Sequence, residues 1–181
     1  HTREIALDGR RVEQMLSVSI KQPYSDAFID YKMTEVKVTG ANVSVKLTDD
    51  FMQAAIEGKP YTQQYPIDAT EPAFQKDIDA SALWKKIVHN AWKSAEPGVL
   101  FWDTILKESV PDCYADLGYR TVSTNPCGEI PLCPYDSCRL LAINLYSYVV
   151  NPFNPAAYFD FELFKKHVAL AQRIMDDIIN L

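Results

Sequence analysis

The stretch VSVKLTDDFMQAAIEG, residues 43–58, constrains the fold more tightly than any other part of the chain. Apolar and polar residues alternate over 43–47, the period of a strand with two different faces. Thr48 then stands where a helix N-cap is wanted, and Asp49 and Asp50 put negative charge into the first turn of a helix running to about Glu57. A strand that hands over to a helix without a loop is half of a βα unit, and it needs a partner strand and a covering layer.

The same alternation recurs along the chain. Met15 to Ile20 (MLSVSI) has strand character, and Asp26 to Tyr31 predicts a short helix after Pro23. Lys37 to Asn42 (KVTGAN) reads as a loop in which Gly40 is free to take positive φ. Gly58 to Asp79 is polar and punctuated by proline, which predicts an irregular connection. Ser81 predicts the N-cap of a helix to about Ala95, with Leu83, Ile87 and Ala91 on one face, ended by Pro97-Gly98. Val99 to Glu108 reads as another helix, and Leu140 to Val150 as a buried strand. Asp160 caps a long amphipathic helix in which Phe161, Phe164, Val168, Ala171 and Met175 share a face. The fold class expected is α/β, part of a barrel or of a parallel sheet.

With 181 residues, 48% of them apolar and 23% charged, the chain is long enough for one domain with a real core. No apolar run reaches the roughly 18 residues of a membrane span, and the start HTREIALDGRR has no apolar signal-peptide core. A net charge of −6, with both signs scattered, argues against binding a nucleic-acid polymer but not against a single nucleotide. Starting without Met and ending inside an apolar helical pattern, the chain reads as an internal piece of something longer. Four cysteines are too few for a secreted disulfide scaffold, so a reducing cytoplasm is expected.

Three of those cysteines fall within STNPCGEIPLCPYDSC, residues 123–138. Five and four residues separate Cys127, Cys133 and Cys138, which is not the paired C-x2-C spacing of structural zinc, and His1, His89 and His167 are distant in sequence. No metal site is therefore expected. Cys113 and Cys133 read as small core residues, the common fate of a free cysteine. Cys127 is different, because it stands between Pro126 and Gly128 with Asn125 and Glu129 two residues away on either side. In an extended tip these three would line one surface and present a thiol beside an amide and a carboxylate. A neighbouring anion disfavours the thiolate, so such a thiol suits chemistry that keeps its S–H.

The run NPCGEIPLCPYDSCRLLAINL resembles the active-site finger loop of ribonucleotide reductases, and most closely the adenosylcobalamin-dependent class. The resemblance extends to GRRVEQMLSVSI, KVTGANVSVKLTDDF and EPGVLFWDTI, in the same order, and covers essentially the whole chain. It implies that residues 1–181 are part of the ten-stranded α/β barrel of that family. Cys127 would then be the thiol oxidised to a thiyl radical by the 5′-deoxyadenosyl radical that adenosylcobalamin provides, and would abstract the ribose 3′ hydrogen. Glu129 would be the general base on the 3′ hydroxyl, and Asn125 would hydrogen-bond the ribose hydroxyls. Cys138 would be the downstream member of a redox-active cysteine pair whose partner lies upstream of this chain.

The resemblance also implies that Lys37, Thr39, Gly40 and Asn42 belong to a loop passing information between an effector deoxynucleotide and the substrate base. Arg10 and Arg11 would approach the effector phosphates. The partners implied are a ribonucleotide, most simply the diphosphate, a deoxynucleotide effector, a thioredoxin-type or other dithiol reductant, and a second copy of the complete enzyme in a homodimer. Two other readings stand beside this one: a segment of a metal-radical (class I) reductase large subunit, and a non-enzymatic thiol or zinc module. The three tryptophans, Trp84, Trp92 and Trp102, are expected to serve packing, and His89 to be a partly exposed helical residue.

Overall fold

The structure is a computed structural model that describes residues 14–33 and 40–180. Arg10, Arg11, Lys37 and Thr39 lie outside the described residues. The chain divides into two compact units after Asp136.

The first unit is built on a parallel sheet of β1 (Met15–Ser19), β2 (Asn42–Leu47) and β5 (Gly98–Phe101), in the order β1-β2-β5. In register, Val18 lies beside Val45, and Val45 beside Val99. Parallel neighbours need crossovers, and helices supply them. α1 (Ser25–Ile29) follows β1, while α2 (Asp49–Glu57) and α3 (Ala80–Ser94) lie between β2 and β5. The alternation read in residues 43–47 appears as two faces. Val43, Val45 and Leu47 are at most 1% exposed, and Asn42, Ser44 and Lys46 point to the other side.

On the apolar face Val45 and Leu47 pack with Ile20, Ile29, Phe51, Ala55, Leu83 and Ile87, so α1, α2 and α3 cover that side. Phe51, fully buried, meets Tyr61 edge-on with ring centroids 5.2 Å apart. Phe51→Ala should lower stability by about 3–5 kcal/mol, with Phe51→Leu costing visibly less. Urea unfolding of the intact barrel reads both; equal midpoints for wild type and Phe51→Ala would mean that the helical layer is not a packed core.

Several local expectations change for physical reasons. Residues 58–79 are not an irregular connection but contain an antiparallel hairpin, β3 (Pro60–Tyr65) with β4 (Phe74–Asp79). Its inward positions include Gln63, which is fully buried because its amide donates to the Ile20 carbonyl (2.8 Å) and to Ser25 Oγ (2.7 Å). The N-cap of α3 is Asp79, whose carboxylate accepts the Ala82 N–H at 2.9 Å. Ser81 is the second residue of the helix and donates to the Ala55 carbonyl, tying α3 to α2.

Thr48 holds the N-cap backbone position of α2, but its hydroxyl pairs with Tyr61. The orphan Asp49 N–H is met by Asp103 Oδ2 at 2.7 Å. Burial pushes the Tyr61 hydroxyl up to about 12. The expected helix over 99–108 divides, because Val99 to Phe101 complete the parallel sheet as part of β5 and only Trp102–Glu108 coil, as α4. Here sheet pairing outweighs the helical pattern.

Cys113 is exposed and Cys133 only half-buried, so neither is a core residue. Cys133 donates to Asp136 at 3.4 Å, and burial together with that carboxylate pushes its thiol up. Trp84 packs against the core and Trp102 is half-buried, whereas Trp92 is largely exposed, as is His89 beside it.

In the second unit the expected strand over 140–150 is confined to β8 (Val149–Val150), paired with β9 (Tyr158–Phe159). Asn144 accepts the Tyr146 N–H and starts a tight helical turn over Leu145–Tyr148, which takes those apolar residues out of the extended state. α5 (Phe161–Asp177) starts at Asp160, whose carboxylate accepts the Leu163 N–H. Of the apolar face expected on it, Phe164, Ala171 and Met175 are half-buried and Phe161 and Val168 exposed. Tyr148 is the packed centre of this unit, against Phe159, Phe164 and His167. No helix among the described residues is long and apolar enough to cross a membrane.

Candidate active site

Residues 122–132 form a hairpin in which β6 (Ser123–Thr124) pairs with β7 (Pro131–Leu132). The Val122 N–H reaches the Leu132 carbonyl at 2.9 Å and the Asn125 N–H the Ile130 carbonyl at 3.1 Å, so the ladder runs to the base of the tip. There the chain turns sharply, with the Gly128 N–H on the Asn125 carbonyl at 3.0 Å. Pro126 restricts φ on entering the turn, and Gly128 leaves it at φ +86°, a left-handed conformation that a side chain resists.

This turn corrects the expected extended tip. Alternation no longer sets which way residues 125, 127 and 129 face; instead Asn125 is 5% exposed at the neck, and Cys127 and Glu129 are exposed at the tip. The side-chain carbonyl of Asn125 accepts the Ile130 N–H at 2.9 Å and so closes the turn from inside. With its oxygen committed to the backbone, what Asn125 can offer a ligand is its NH2, a donor.

The hairpin lies over the polar face of the parallel sheet. Asn42 Nδ2 donates to the Pro126 carbonyl at 2.7 Å, Lys46 Nζ donates to the Val122 carbonyl at 2.5 Å, and the hydroxyls of Ser17 and Ser123 are 3.3 Å apart. Lys46 also sits 3.9 Å over the Trp102 ring, and burial pushes its ammonium below the ordinary lysine value. A Cβ built on Gly128 would meet Leu100 Cδ2 at 3.5 Å, so the turn rests against β5 as well. At the upper end of β2 the Val43 N–H is held by Glu96 at 2.8 Å, and Glu96 pairs with Lys32 at 2.9 Å.

Asn42, one member of the loop expected to read an effector, thus touches the backbone of the hairpin that carries Asn125, Cys127 and Glu129. Gly40 is half-buried two residues before it. Cys138 is exposed and belongs to the second unit. Among the described residues no group of three or more His, Cys, Asp or Glu comes together as a metal site. Sequence reasoning passed over Lys46 and Ser17. The signal for Lys46 was present in VSVKL, whose polar positions had to face something other than the helices.

The described residues thus place a three-stranded parallel sheet with helices on its apolar face and a thiol-bearing hairpin on its polar face. The chain belongs to the ribonucleotide reductase barrel-domain family, whose model matches residues 6–181. It is 36% identical over 175 residues to a vitamin B12-dependent ribonucleoside-diphosphate reductase of Thermoplasma acidophilum, covering 94% of this chain and 21% of that protein. A protein of the same name from Mycobacterium tuberculosis is 28% identical over 180 residues, 98% of this chain and 24% of that one. Among solved structures, the Actinobacillus ureae class Id ribonucleotide reductase alpha subunit superposes with a TM-score of 0.51 at 19% identity, over 67% of this chain and 20% of that one, a likeness of fold. The chain therefore spans about a fifth of the length of these relatives.

Proposed function

We propose that residues 1–181 are part of the catalytic barrel of an adenosylcobalamin-dependent ribonucleotide reductase, acting on ribonucleotides and most simply on the diphosphates. The observation that carries the reading is Cys127, an exposed thiol at the tip of a hairpin whose neck is Asn125 and whose far side is Glu129.

The chemistry follows from what each group can do. Cys127, as a thiyl radical, takes the hydrogen atom from C3′ of the ribose and becomes S–H again. Glu129, as carboxylate, accepts the proton of the 3′ hydroxyl. The Asn125 NH2 donates to a ribose hydroxyl. The 2′ hydroxyl departs with a proton as water, and two thiols supply the two electrons, closing to a disulfide. The same hydrogen atom returns to C3′ from Cys127, so the thiyl radical is regenerated. Cys138 is proposed as one of the two reducing thiols, and the other lies outside this chain. The balance is ribonucleotide plus dithiol to deoxyribonucleotide, disulfide and water.

Adenosylcobalamin, when bound, would supply the acceptor for the whole hydrogen atom, proton and electron together, that the Cys127 thiol gives up. The residues present fit such a partner, because the Cys127 thiol is exposed at the tip and so open to a bulky group. Lys37, Thr39 and Gly40 are proposed to carry the role of the substrate and effector loop, which Asn42 ends against the hairpin, with Arg10 and Arg11 toward the effector phosphates. A deoxynucleotide effector, a thioredoxin-type or other dithiol reductant, a homodimeric complete enzyme and a cytoplasmic location complete the proposal.

The test is an assay of the full-length reductase carrying this segment, with adenosylcobalamin, a dithiol, an effector and a ribonucleoside diphosphate. Deoxynucleotide formed only when the cobalamin is present is the expected result. Product formed without it would assign the protein to a metal-radical reductase class. Stoichiometric zinc held by Cys127, Cys133 and Cys138, with no product, would overturn the reading altogether.

A further inference from the structure

The hairpin crosses the face of the sheet rather than extending its edge, so its downward backbone groups find no ladder partners in β1, β2 or β5. Backbone carbonyls in that position take donors from side chains or from water. β2 supplies two. Asn42 reaches Pro126 and Lys46 reaches Val122, so residues four apart on β2 meet carbonyls four apart on the hairpin, in opposite chain directions. Four extended residues span about 13 Å on either strand, which is why both contacts can form at once. A one-residue slip of the hairpin would turn the carbonyls away from both donors.

We propose that Asn42 and Lys46 form a two-point clamp that fixes the hairpin's register along β2 and thereby the position of Cys127, making both of them positioning residues of the radical thiol. The inference rests on the reading of Cys127 given above. Asn42 is the sharper of the two, because the carbonyl that it holds belongs to Pro126, one bond removed from the Cys127 nitrogen. That assignment departs from the role first expected for Asn42, a donor or acceptor for an effector or substrate base. Its Nδ2 is instead spent on the protein, and its backbone N–H is held by the Gln14 carbonyl at 2.7 Å. Lys46 anchors the other end through its ammonium, while the Trp102 ring beneath keeps that ammonium over the sheet. Ser17 meeting Ser123 from β1 limits sideways drift.

Two variants separate the donors from the packing. Asn42→Asp keeps the shape and replaces the donor with an oxygen that repels the Pro126 carbonyl. Lys46→Met keeps the stem over Trp102 and removes the ammonium. In the full-length reductase without substrate, amide hydrogen exchange at Gly128 and Ile130 should quicken by at least about tenfold in Asn42→Asp. Displacement of a reacting group by about 1 Å costs on the order of 10²-fold, so kcat should fall by about that factor with KM within about twofold. Lys46→Met should quicken exchange at Val122 and lower kcat less. The two together should fall short of the sum of their effects, because each releases the same hairpin.

Exchange at Gly128 and Ile130 unchanged in Asn42→Asp would overturn the clamp. So would a rise in KM or a loss of effector response with exchange and kcat intact, since that pattern belongs to a ligand contact. Exchange is measured without turnover, so the clamp is decided even if Cys127→Ser were to remain active, the separate result that would remove the radical reading.

Discussion

Replacing Cys127 by serine should abolish deoxynucleotide formation, by at least on the order of 10³-fold and down to the detection limit. The substitution changes one atom. An O–H bond is much stronger than an S–H bond, so serine cannot yield its hydrogen to a carbon radical or hold the unpaired electron between turnovers. Nothing in the turn itself depends on the sulfur: its hydrogen bonds run from Gly128 to Asn125, from Ile130 to Asn125 Oδ1, and from Asn42 to Pro126. The serine variant should therefore keep wild-type amide exchange at Gly128 and Ile130 and bind substrate normally. It should also lose the exchange-coupled paramagnetic signal expected of a Cys127 thiyl radical. A serine variant that still turns over would show that the hairpin presents Cys127 for another purpose. Loss of product together with collapse of exchange protection would be a structural failure, and Cys127→Ala then provides the check.

Much of this site could be read before any coordinates. Pro126 and Gly128 mark Cys127 as the tip of a loop, but that tip was expected to be extended, and the left-handed φ of Gly128 makes it a turn instead. What could not be read is how the turn closes. Alternation along an extended tip put Asn125 beside Cys127 and Glu129, but a side-chain carbonyl that can reach a backbone N–H five residues on competes with extension, and here it wins. The docking of the hairpin was half legible. The alternation in residues 43–47 requires a polar face opposite Val43, Val45 and Leu47, but only the tertiary structure identifies Val122 and Pro126 as what that face holds.

The fold divides in the same way. The β2–α2 junction was legible because the alternation over 43–47 and the acidic first turn at Asp49 and Asp50 agree on it, although the Thr48 hydroxyl pairs with Tyr61 instead of capping. The β3–β4 hairpin was hidden because its inward side uses Gln63, a polar residue that can be buried only where Ile20 and Ser25 accept its amide protons. Conversely, the apolar run from Leu140 invited a strand, yet most of it is exposed in the described unit, and Asn144 redirects the backbone. Apolar composition signals burial somewhere; it does not by itself select extension.

Glu129→Gln should lower kcat by about 10²–10⁴-fold, the range removed with a positioned general base. Glutamine preserves length and shape at an exposed position one residue past Gly128, and leaves the hydrogen bonds of the turn untouched. What it cannot do is accept the proton of the 3′ hydroxyl. Hydrogen-atom transfer from C3′ and proton transfer from O3′ are assigned to different side chains, so the variant should divide them. The paramagnetic signal of Cys127 should still form on adding cofactor and substrate, while departure of the 2′ hydroxyl, measured as deoxynucleotide, becomes slow. Glu129→Asp, which keeps the carboxylate but withdraws it by one methylene, should fall between wild type and glutamine. Signal and product lost in parallel in Glu129→Gln would mean that the carboxylate is needed before the radical forms, as a support of the tip. A kcat within about threefold of wild type would remove Glu129 from the proton path, because a positioned base cannot be worth so little.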